Sequence, residues 1–249
     1  MLLVSNNELI KTINFQGRTY IGDPMNAVRI FNEKEADELV IADIEASLFN
    51  KAPNLELIYN LAKECRMPLC YAGGVNNIKT AEKIISLGVE KLAIGTAAIN
   101  NINFINEVSQ RIGSQSVVVV LDVKKNSNNR YTIYSKNGSV DCDLDPVKFA
   151  KSVEEAGAGE ILLNSIDNDG MMNGYDIEIT KLIKSVINIP MTVVGGAGNI
   201  SHFQETINKF GPIGLGAGSF FVFKGKLKAV LINYPNSELK RTISYKNQN

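Results

Sequence analysis

Gln115-Ser-Val-Val-Val-Val-Leu-Asp-Val123 contains the apolar run that decides the fold. Its four valines and Leu121 are too few to cross a membrane and too apolar for a half-exposed strand. We therefore predict a strand buried on both faces, as in parallel sheets. Asp122 lies at the carboxyl end of this strand, where a carboxylate is costly unless it is solvated, paired or used. The position favours a catalytic aspartate over a structural capping one.

Strand and helix patterns alternate on both sides of this run, which predicts parallel strands joined by right-handed crossovers. The predicted strands are 38–43, 68–72, 91–94, 117–123, 160–164, 190–194 and 213–216. The predicted helices are 23–34, 55–64, 78–87, 102–112, 146–156, 176–186 and 200–209, with a hairpin at 130–140.

An internal repeat appears when the chain is aligned with itself at the spacing between Asp23 and Asp145. At this offset Asp23-Pro24 matches Asp145-Pro146, and Gly73-Gly74 matches Gly195-Gly196. Two similar halves, each with about four βα units, predict a single (β/α)₈ TIM barrel built from a half-barrel repeat. An open doubly wound sheet is the less favoured alternative. The barrel is expected to span residues 1–233, with a C-terminal tail at 234–249.

The composition excludes several classes of partner. Among 249 residues the acidic and basic side chains are equal in number, 26 of each, and no basic cluster stands out. Neither nucleic acid nor an anionic membrane is therefore an expected partner. No stretch approaches about 18 apolar residues, and the start lacks a signal-peptide pattern, so we expect a cytoplasmic protein.

The cysteines and the missing motifs limit the cofactors. Cys65, Cys70 and Cys142 show neither metal-ligand nor disulfide spacing, so we expect reduced thiols in or near the core. No Cys/His cluster and no dinucleotide fingerprint is present, so no metal and no cofactor is expected.

Two glycine-rich clusters predict phosphate binding. Gly73-Gly74 and Gly195-Gly196 each follow a strand and precede a helix, so backbone N–H groups can approach an anion closely. Gly95-Thr96 and Gly218-Ser219 end the strands that follow and add hydroxyl donors. Because the clusters lie in opposite halves of the barrel, they indicate an elongated ligand with a phosphate at each end.

Two further features have less specific patterns. The loop Asp167-Asn168-Asp169-Gly170 fits a plain turn and a binding loop at the barrel mouth equally well. The single histidine, His202, begins a helix away from the strand ends, so we expect a structural role for it.

Several motifs along nearly the whole chain resemble those of one family. They are Lys11-Thr-Ile-Asn-Phe-Gln-Gly17, Gly22-Asp-Pro24, Asp43-Ile-Glu-Ala-Ser47, Gly157-Ala-Gly-Glu-Ile-Leu-Leu163, Ser165-Ile-Asp-Asn-Asp-Gly170 and Gly195-Gly-Ala-Gly198. The chain resembles the cyclase subunit (HisF family) of imidazole glycerol phosphate synthase. The resemblance implies a (β/α)₈ barrel in a heterodimer with a glutaminase subunit. Ammonia would cross the barrel to a bisphosphorylated ribulosyl substrate, giving imidazole glycerol phosphate and an aminoimidazole carboxamide ribotide in histidine biosynthesis.

The resemblance also assigns roles to individual residues. Asp122 matches the general acid/base aspartate, and Lys11 matches the lysine of the first loop. The phosphate-binding positions are Gly74, Gly95, Thr96, Asp169, Gly170, Gly196, Gly218 and Ser219. The ammonia gate and subunit interface are Glu38, Lys91, Glu160 and Gln115. The three gate residues begin strands, so we expect them to cluster at the amino-terminal face, with Lys91 shared between the two glutamates.

The chain departs from the family pattern in three ways. Leu3 occupies the position of the second catalytic aspartate, and Gly95 stands where the family usually has asparagine. The first strand is expected to be truncated and to lack the arginine of the gate. Leucine cannot exchange protons, and loss of such a group costs a factor of about 10² to 10⁴ in rate.

Leu3 therefore leaves other functions open. One is a paralogous branch whose barrel relays ammonia to an amidotransferase that forms acetamidino groups on bacterial surface sugars. Another is a sugar-phosphate isomerase on a sister barrel, which the gate residues and Gly113-Ser-Gln115 disfavour.

Overall fold

The valine-rich run lies within a curved parallel sheet in the computed structural model, which describes residues 1–243. Val117 and Val119 pack against the surrounding helices, whereas Val118 belongs to a small cluster inside the barrel. The strand is thus buried on both faces, as predicted.

The strands were located as follows. In chain order they are β1 (Leu2–Ser5), β2 (Glu8–Ile13), β3 (Gln16–Gly22), β4 (Leu39–Asp43), β5 (Leu69–Ala72), β6 (Lys91–Ile94), β7 (Val117–Lys125), β8 (Tyr131–Ser135), β9 (Val140–Asp141), β10 (Glu160–Ser165), β11 (Met191–Val194), β12 (Gly214–Leu215), β13 (Phe223–Lys224) and β14 (Ala229–Val230).

The helices alternate with these strands. They are α1 (Pro24–Glu33), α2 (Leu55–Glu64), α3 (Ile78–Ser86), α4 (Thr96–Asn100), α5 (Asn103–Ile112), α6 (Pro146–Glu155), α7 (Ile177–Lys184), α8 (Ile200–Phe210), α9 (Ser219–Val222) and α10 (Ser237–Ile243).

Eight strands form the barrel in the order β1-β4-β5-β6-β7-β10-β11-β12, and every neighbouring pair in this series is parallel. At the seam between β12 and β1, the nitrogen of Met1 donates to the carbonyl of Ala217 at 2.7 Å. The fold is the predicted (β/α)₈ barrel, and it gathers the carboxyl ends of all eight strands at one face.

Matching caps begin matching helices in the two halves. Asp23 and Asp145 cap α1 and α6, each with a proline in the first turn. Asn77 and Asn199 cap α3 and α8 by accepting the N–H group three residues on.

Most predicted elements are present, with shifted ends. The strands predicted from Pro68 and Pro190 begin one residue later, because proline has no N–H group to donate to a ladder. The strand predicted at 213–216 is reduced to Gly214–Leu215, which pairs with β11 over two residues. The hairpin predicted at 130–140 is present as β8 and β9.

A second hairpin, formed by β2 and β3, was not predicted from the sequence. Residues 16–20 of β3 are exposed, so they lack the apolar alternation that reveals a half-buried strand. The hairpin follows β1 as the β8–β9 hairpin follows β7, and it carries Lys11 toward the barrel mouth.

The described part of the predicted tail packs against the barrel. The hydroxyl of Tyr234 donates to Asp37 at 2.7 Å, and Lys240 lies 2.8 Å from the same carboxyl group. Ile243, at the end of α10, is buried. Residues 244–249 of this tail lie outside the described residues.

Candidate active site

A cavity opens where the carboxyl ends of the barrel strands meet. Its charged and amide side chains come from four strands and two loops: Lys11, Asp43, Asp122, Asn137, Asn164 and Asp169, with Leu3 beside them. The barrel topology brings together residues that are distant in the sequence, such as Leu3 and Asp169, which are 166 positions apart.

Asp122 faces this cavity from β7. The amide nitrogen of Asn164, its register partner on β10, donates to Asp122 Oδ1 at 3.0 Å. Burial raises the pKa of Asp122, the bond from Asn164 opposes the rise and the charge of Asp169 adds to it, and together they bring the pKa to about 7. A carboxyl group with a pKa near neutrality can both accept and release a proton at working pH.

Lys11 and Asp169 form the other charged side of the cavity. Lys11 is buried, and its ammonium donates to the carbonyl of Met1 at 3.0 Å. Burial lowers the pKa of Lys11, and the charge of Asp169 opposes that shift. Burial likewise raises the pKa of Asp169, opposed by Lys11 and by the hydroxyl of Thr12 at 3.2 Å. The pair offers one donor and one acceptor to a polar ligand.

Leu3 contributes apolar surface at the same mouth. It is 8% exposed and packs with Ile10 and Ala42 on the neighbouring strands. The structure therefore places a buried methyl-bearing side chain at the position assigned to the second aspartate.

Asp43 lines the cavity as well, although the sequence reasoning assigned it no role. Its Oδ1 atom accepts the N–H groups of Glu45 and Ala46 at 2.9 and 3.1 Å. The signal that identified Asp122, an acid at the carboxyl end of a buried strand, applies equally to Asp43.

The first glycine cluster borders a recess beside the cavity. Gly74, Gly95 and Thr96 line it, and no side chain within the described chain caps the short helix that starts at Thr96. Gly74 has a φ of +68°, and a Cβ there would lie 2.9 Å from the Lys51 carbonyl. Glycine at this position lets three loops converge closely enough to surround an anion.

The second cluster is arranged similarly. Gly170 and Ser219 line a recess together with Lys11, and Gly218 caps the short helix α9 without a side-chain bond. A Cβ at Gly218 would collide with the Lys11 ammonium, and one at Gly196 would collide with the carbonyl of Gly174. Gly196 is thus buried in the wall, while its neighbour Gly195 faces the cavity.

Lys91 joins two glutamates at the opposite, amino-terminal end, which we call the barrel floor (Glu38, Lys91, Glu160 and Thr192). Lys91 Nζ lies 3.0 Å from Glu38 and 2.9 Å from Glu160, and the hydroxyl of Thr192 donates to Glu160 at 2.6 Å. Burial alone would lower the pKa of Lys91, but the two glutamates raise it above its ordinary value. The predicted cluster around a shared Lys91 is present. Gln115 is exposed where β7 begins.

An apolar layer separates the floor from the mouth. It consists of Cys70, Ala93, Val118, Leu162 and Val194. Glu160, Leu162 and Asn164 alternate along β10, and a strand's alternate residues share a face, so this strand links floor, layer and mouth.

Two hairpins meet above the cavity. A Cβ at Gly138 of the β8–β9 turn would lie 2.8 Å from the ring of Phe15, in the β2–β3 turn. The N–H group of Lys136 donates to the Thr96 hydroxyl at 3.3 Å. These contacts partly cover the mouth with residues from both halves.

Glu45 holds the β2–β3 hairpin in place through a hydrogen bond and ion pairs. Its buried carboxylate accepts from Ser5 at 2.7 Å and pairs with Arg18 at 2.7 Å and Lys51 at 3.1 Å. The bond from Ser5, with smaller contributions from Arg18 and Lys51, holds the pKa of Glu45 at about 2.

His202 has the structural role that was expected. Its Nδ1 atom accepts the N–H group of Gly198 at 3.1 Å, which ties α8 to the Gly195–Gly198 loop. The three cysteines are free thiols, and only Cys70 is fully buried.

Within residues 1–243, no grouping of His, Cys, Asp or Glu side chains is suited to hold a metal ion. None of the helices in that part of the chain combines the length and apolar character needed to span a bilayer.

Comparisons with known proteins found related sequences along most of the chain. Residues 4–228 match the family described as "Histidine biosynthesis protein". A protein of Leptospira interrogans, provisionally named imidazole glycerol phosphate synthase subunit HisF, is 51% identical over 98% of this chain and 96% of its own length. A provisionally named subunit hisF2 of Pseudomonas aeruginosa is 46% identical over 94% of both chains. The imidazole glycerol phosphate synthase subunit HisF of Sulfurisphaera tokodaii is 39% identical over 87% of this chain and 86% of its own.

Proposed function

The chain belongs to the histidine biosynthesis protein family, and from this premise we propose that it is the cyclase subunit of an imidazole glycerol phosphate synthase. In this role it uses ammonia to convert a bisphosphorylated ribulosyl substrate into imidazole glycerol phosphate and an aminoimidazole carboxamide ribotide. The observation that carries the proposal is Asp122, a carboxyl group with a pKa of about 7 in a cavity flanked by two glycine clusters.

Asp122 supplies acid/base catalysis in this scheme. Ring formation requires protons to leave and to join nitrogen and oxygen atoms, and one carboxyl group near its pKa can do both in turn. Lys11 donates to an oxygen of the substrate, and the charge of Asp169 opposes the lowering of the Lys11 pKa by burial. The three groups share one cavity, so a single bound substrate can contact them all.

The two glycine clusters bind the phosphates. Gly74, Gly95 and Thr96 serve one phosphate. Asp169, Gly170, Gly218 and Ser219 border the region for the other, and Gly196 lies in the wall behind it. Uncapped first turns of α4 and α9 support this assignment, because N–H groups there point away from their own helices.

The partner is a glutaminase that docks on the floor. Glu38, Lys91 and Glu160 form the gate through which ammonia enters, and Gln115 belongs to the interface. Charged groups at the entrance of an apolar core are a poor choice for stability alone, which supports a functional reason for their presence. The proposed setting is the cytoplasm, where free thiols such as Cys70 persist.

Leu3 supports a second candidate function. With leucine in place of the second carboxylate, the barrel would act mainly as a relay that delivers ammonia to an amidotransferase acting on surface sugars. The two candidates share the gate and the channel, and they differ in whether chemistry occurs at the mouth.

Turnover of the purified protein with ammonium chloride and the bisphosphorylated ribulosyl substrate tests the first candidate. We expect imidazole glycerol phosphate, detected by mass spectrometry, at a rate about 10² to 10⁴ below that of a relative with both aspartates. Calorimetry of the same substrate, with sulfate as competitor, tests the two phosphate sites independently of turnover. Tight binding without product would favour the relay, and the absence of both would refute the cyclase.

A further inference from the structure

Asn164 carries an unpaired acceptor beside the proposed catalytic aspartate. The side chain is 2% exposed, and its Oδ1 atom has no hydrogen-bond partner among the described residues. An unpaired buried amide oxygen costs about 1 to 3 kcal/mol, so it calls for an explanation. The same side chain lines the cavity.

The hydrogen bond to Asp122 fixes which amide atom is unpaired. The nitrogen of Asn164 donates to Asp122 Oδ1 at 3.0 Å, so the amide oxygen is the atom left without a partner when Asp122 is ionised. The amide oxygen therefore points away from Asp122. A Cβ at position 195 would lie 3.0 Å from this oxygen, so glycine at that position avoids crowding it.

The position of Asn164 along β10 suggests the kind of ligand. Glu160 belongs to the floor, Leu162 to the apolar layer, and Asn164 follows at the next inward position. A small molecule that crosses the layer from the floor thus meets the Asn164 side chain where the lining becomes polar. A small, neutral hydrogen-bond donor fits both the apolar layer and an unpaired acceptor.

We propose that Asn164 and Asp122 form the receiving site for ammonia at the mouth of the barrel, a step that rests on the proposed function. The Asn164 oxygen accepts one N–H group of ammonia, and the Asp122 carboxylate accepts a second. Two fixed acceptors orient the nitrogen lone pair toward the substrate. Asn164 is therefore a binding and positioning residue for the nucleophile.

Asn164→Leu tests this site, because leucine keeps the size of the side chain and removes its polar atoms. We expect the KM for ammonia to rise about 5- to 10-fold, the usual effect of losing one hydrogen bond. Affinity for the bisphosphorylated substrate, measured by calorimetry, stays unchanged. The lost bond to Asp122 appears separately, as a shift in the pH dependence of kcat.

Thr132→Val is the matched control. Thr132 Oγ1 is the other buried side-chain atom without a recorded partner in residues 1–243, and it lies on β8 rather than among the cavity residues. This variant should leave both constants unchanged. An unchanged KM for ammonia in Asn164→Leu would overturn the proposal, and weaker substrate binding in its place would show that the oxygen contacts the substrate.

A second measurement applies even if the wild-type protein shows no turnover. The side-chain amide resonances of Asn164, assigned with the Asn164→Leu variant, are followed during titration with ammonium chloride against sodium chloride of equal ionic strength. A saturable shift specific to ammonium chloride supports the receiving site in both the cyclase and the relay. Identical responses to the two salts would overturn it, whatever the outcome for cyclase activity.

Discussion

The two ends of the barrel use charged residues in opposite ways. At the floor, Lys91 touches both Glu38 and Glu160 within about 3 Å, and Thr192 occupies a further glutamate oxygen. At the mouth, no ion pair joins Lys11, Asp122 or Asp169 within residues 1–243, and their pKa values move toward the neutral forms.

Pairing explains this difference better than burial does. Lys91 is partly buried, yet contact with two carboxylates keeps it charged, so the floor is a fixed electrostatic structure. The mouth leaves Asp122 without a cation in contact, so its proton can exchange near neutral pH. One end is therefore suited to admitting a neutral molecule, and the other to moving protons.

Asp122→Asn should have the largest effect, because it removes the group that most distinguishes the mouth from the floor. We expect ammonia-dependent activity to fall by about 10² to 10⁴, because the exchangeable carboxyl group is lost. In the wild-type protein, activity that needs the carboxylate should fall as the pH drops through about 7, and this dependence should vanish in the variant. Asp143→Asn, an exposed carboxylate on the β8–β9 hairpin, is the matched control.

Asp122→Asn should also change the free energy of unfolding, with a sign that follows from the raised pKa of Asp122. The folded pKa of Asp122 is raised, so its contribution is fully present below the ordinary value of 3.8 and is lost as the pH rises through about 7. Asp122→Asn should therefore be more stable than the wild-type protein above pH 7 in urea titrations. A variant that is less stable than the wild-type protein above pH 7 would contradict a raised pKa of Asp122.

Leu3→Asp sharpens the comparison by adding a second carboxyl group to the mouth. We expect ammonia-dependent cyclase activity to rise by at least about tenfold, because two groups can then divide acid and base roles. Burial and the nearby acids should also keep the new carboxyl partly protonated. Leu3→Asn controls for polarity without a proton, and equal gains in both variants would show that proton exchange is not the cause. Leu3→Asp activity equal to that of the parent would show that leucine is no handicap.

Lys91→Met tests whether the floor is a fixed charged structure. Removing the shared cation leaves Glu160 partly buried without its partner, so unfolding free energy should fall by about 1 to 3 kcal/mol in urea titrations. In the complex with a glutaminase, glutamine-dependent activity should change relative to ammonia-dependent activity. An unchanged ratio of the two rates would remove the gate from the proposal. Lys83→Met, on a nearby helix, is a control for lysine removal.

Glu45→Gln should have the smallest effect. It tests whether the pKa of a carboxyl group depends on its ion-pair partners or on its position in the barrel. Glu45 lies near the mouth, yet its partners hold its pKa at about 2 rather than raising it. Its stabilisation is present above the ordinary value of 4.5 and is lost as the pH falls through about 2, the opposite of Asp122. We expect a loss of about 1 kcal/mol at neutral pH and almost none at pH 2, measured by urea unfolding. Equal losses at both values would contradict this account.

The sequence was enough to predict the features that depend on the order and the ends of the strands. A buried valine run followed by Asp122 was enough to place that residue at the mouth, and three charged residues at strand starts were enough to predict the floor. These inferences hold because parallel strands align their ends in one plane.

The parts that escaped prediction depend on irregular backbone and on side-chain packing. The β2–β3 hairpin is exposed and contains register shifts, so it has no regular apolar period. Asn164 follows an apolar run and looks like an ordinary strand end until its unpaired oxygen is seen. Asp43 carried a usable signal, but the choice among several strand-end acids required the cavity itself.

The contact between Phe15 and Gly138 has a consequence for how such barrels can be recombined. Each of these residues belongs to the hairpin that follows the first strand of its own half, and each fits the other's shape. In a chimera assembled from half-barrels of two relatives, the strands would still pair, but the β2–β3 hairpin of one half would not fit the β8–β9 hairpin of the other. A larger residue at position 138 would therefore require a smaller one at position 15. The sizes of these two residues should be correlated, although they are 123 positions apart in the chain.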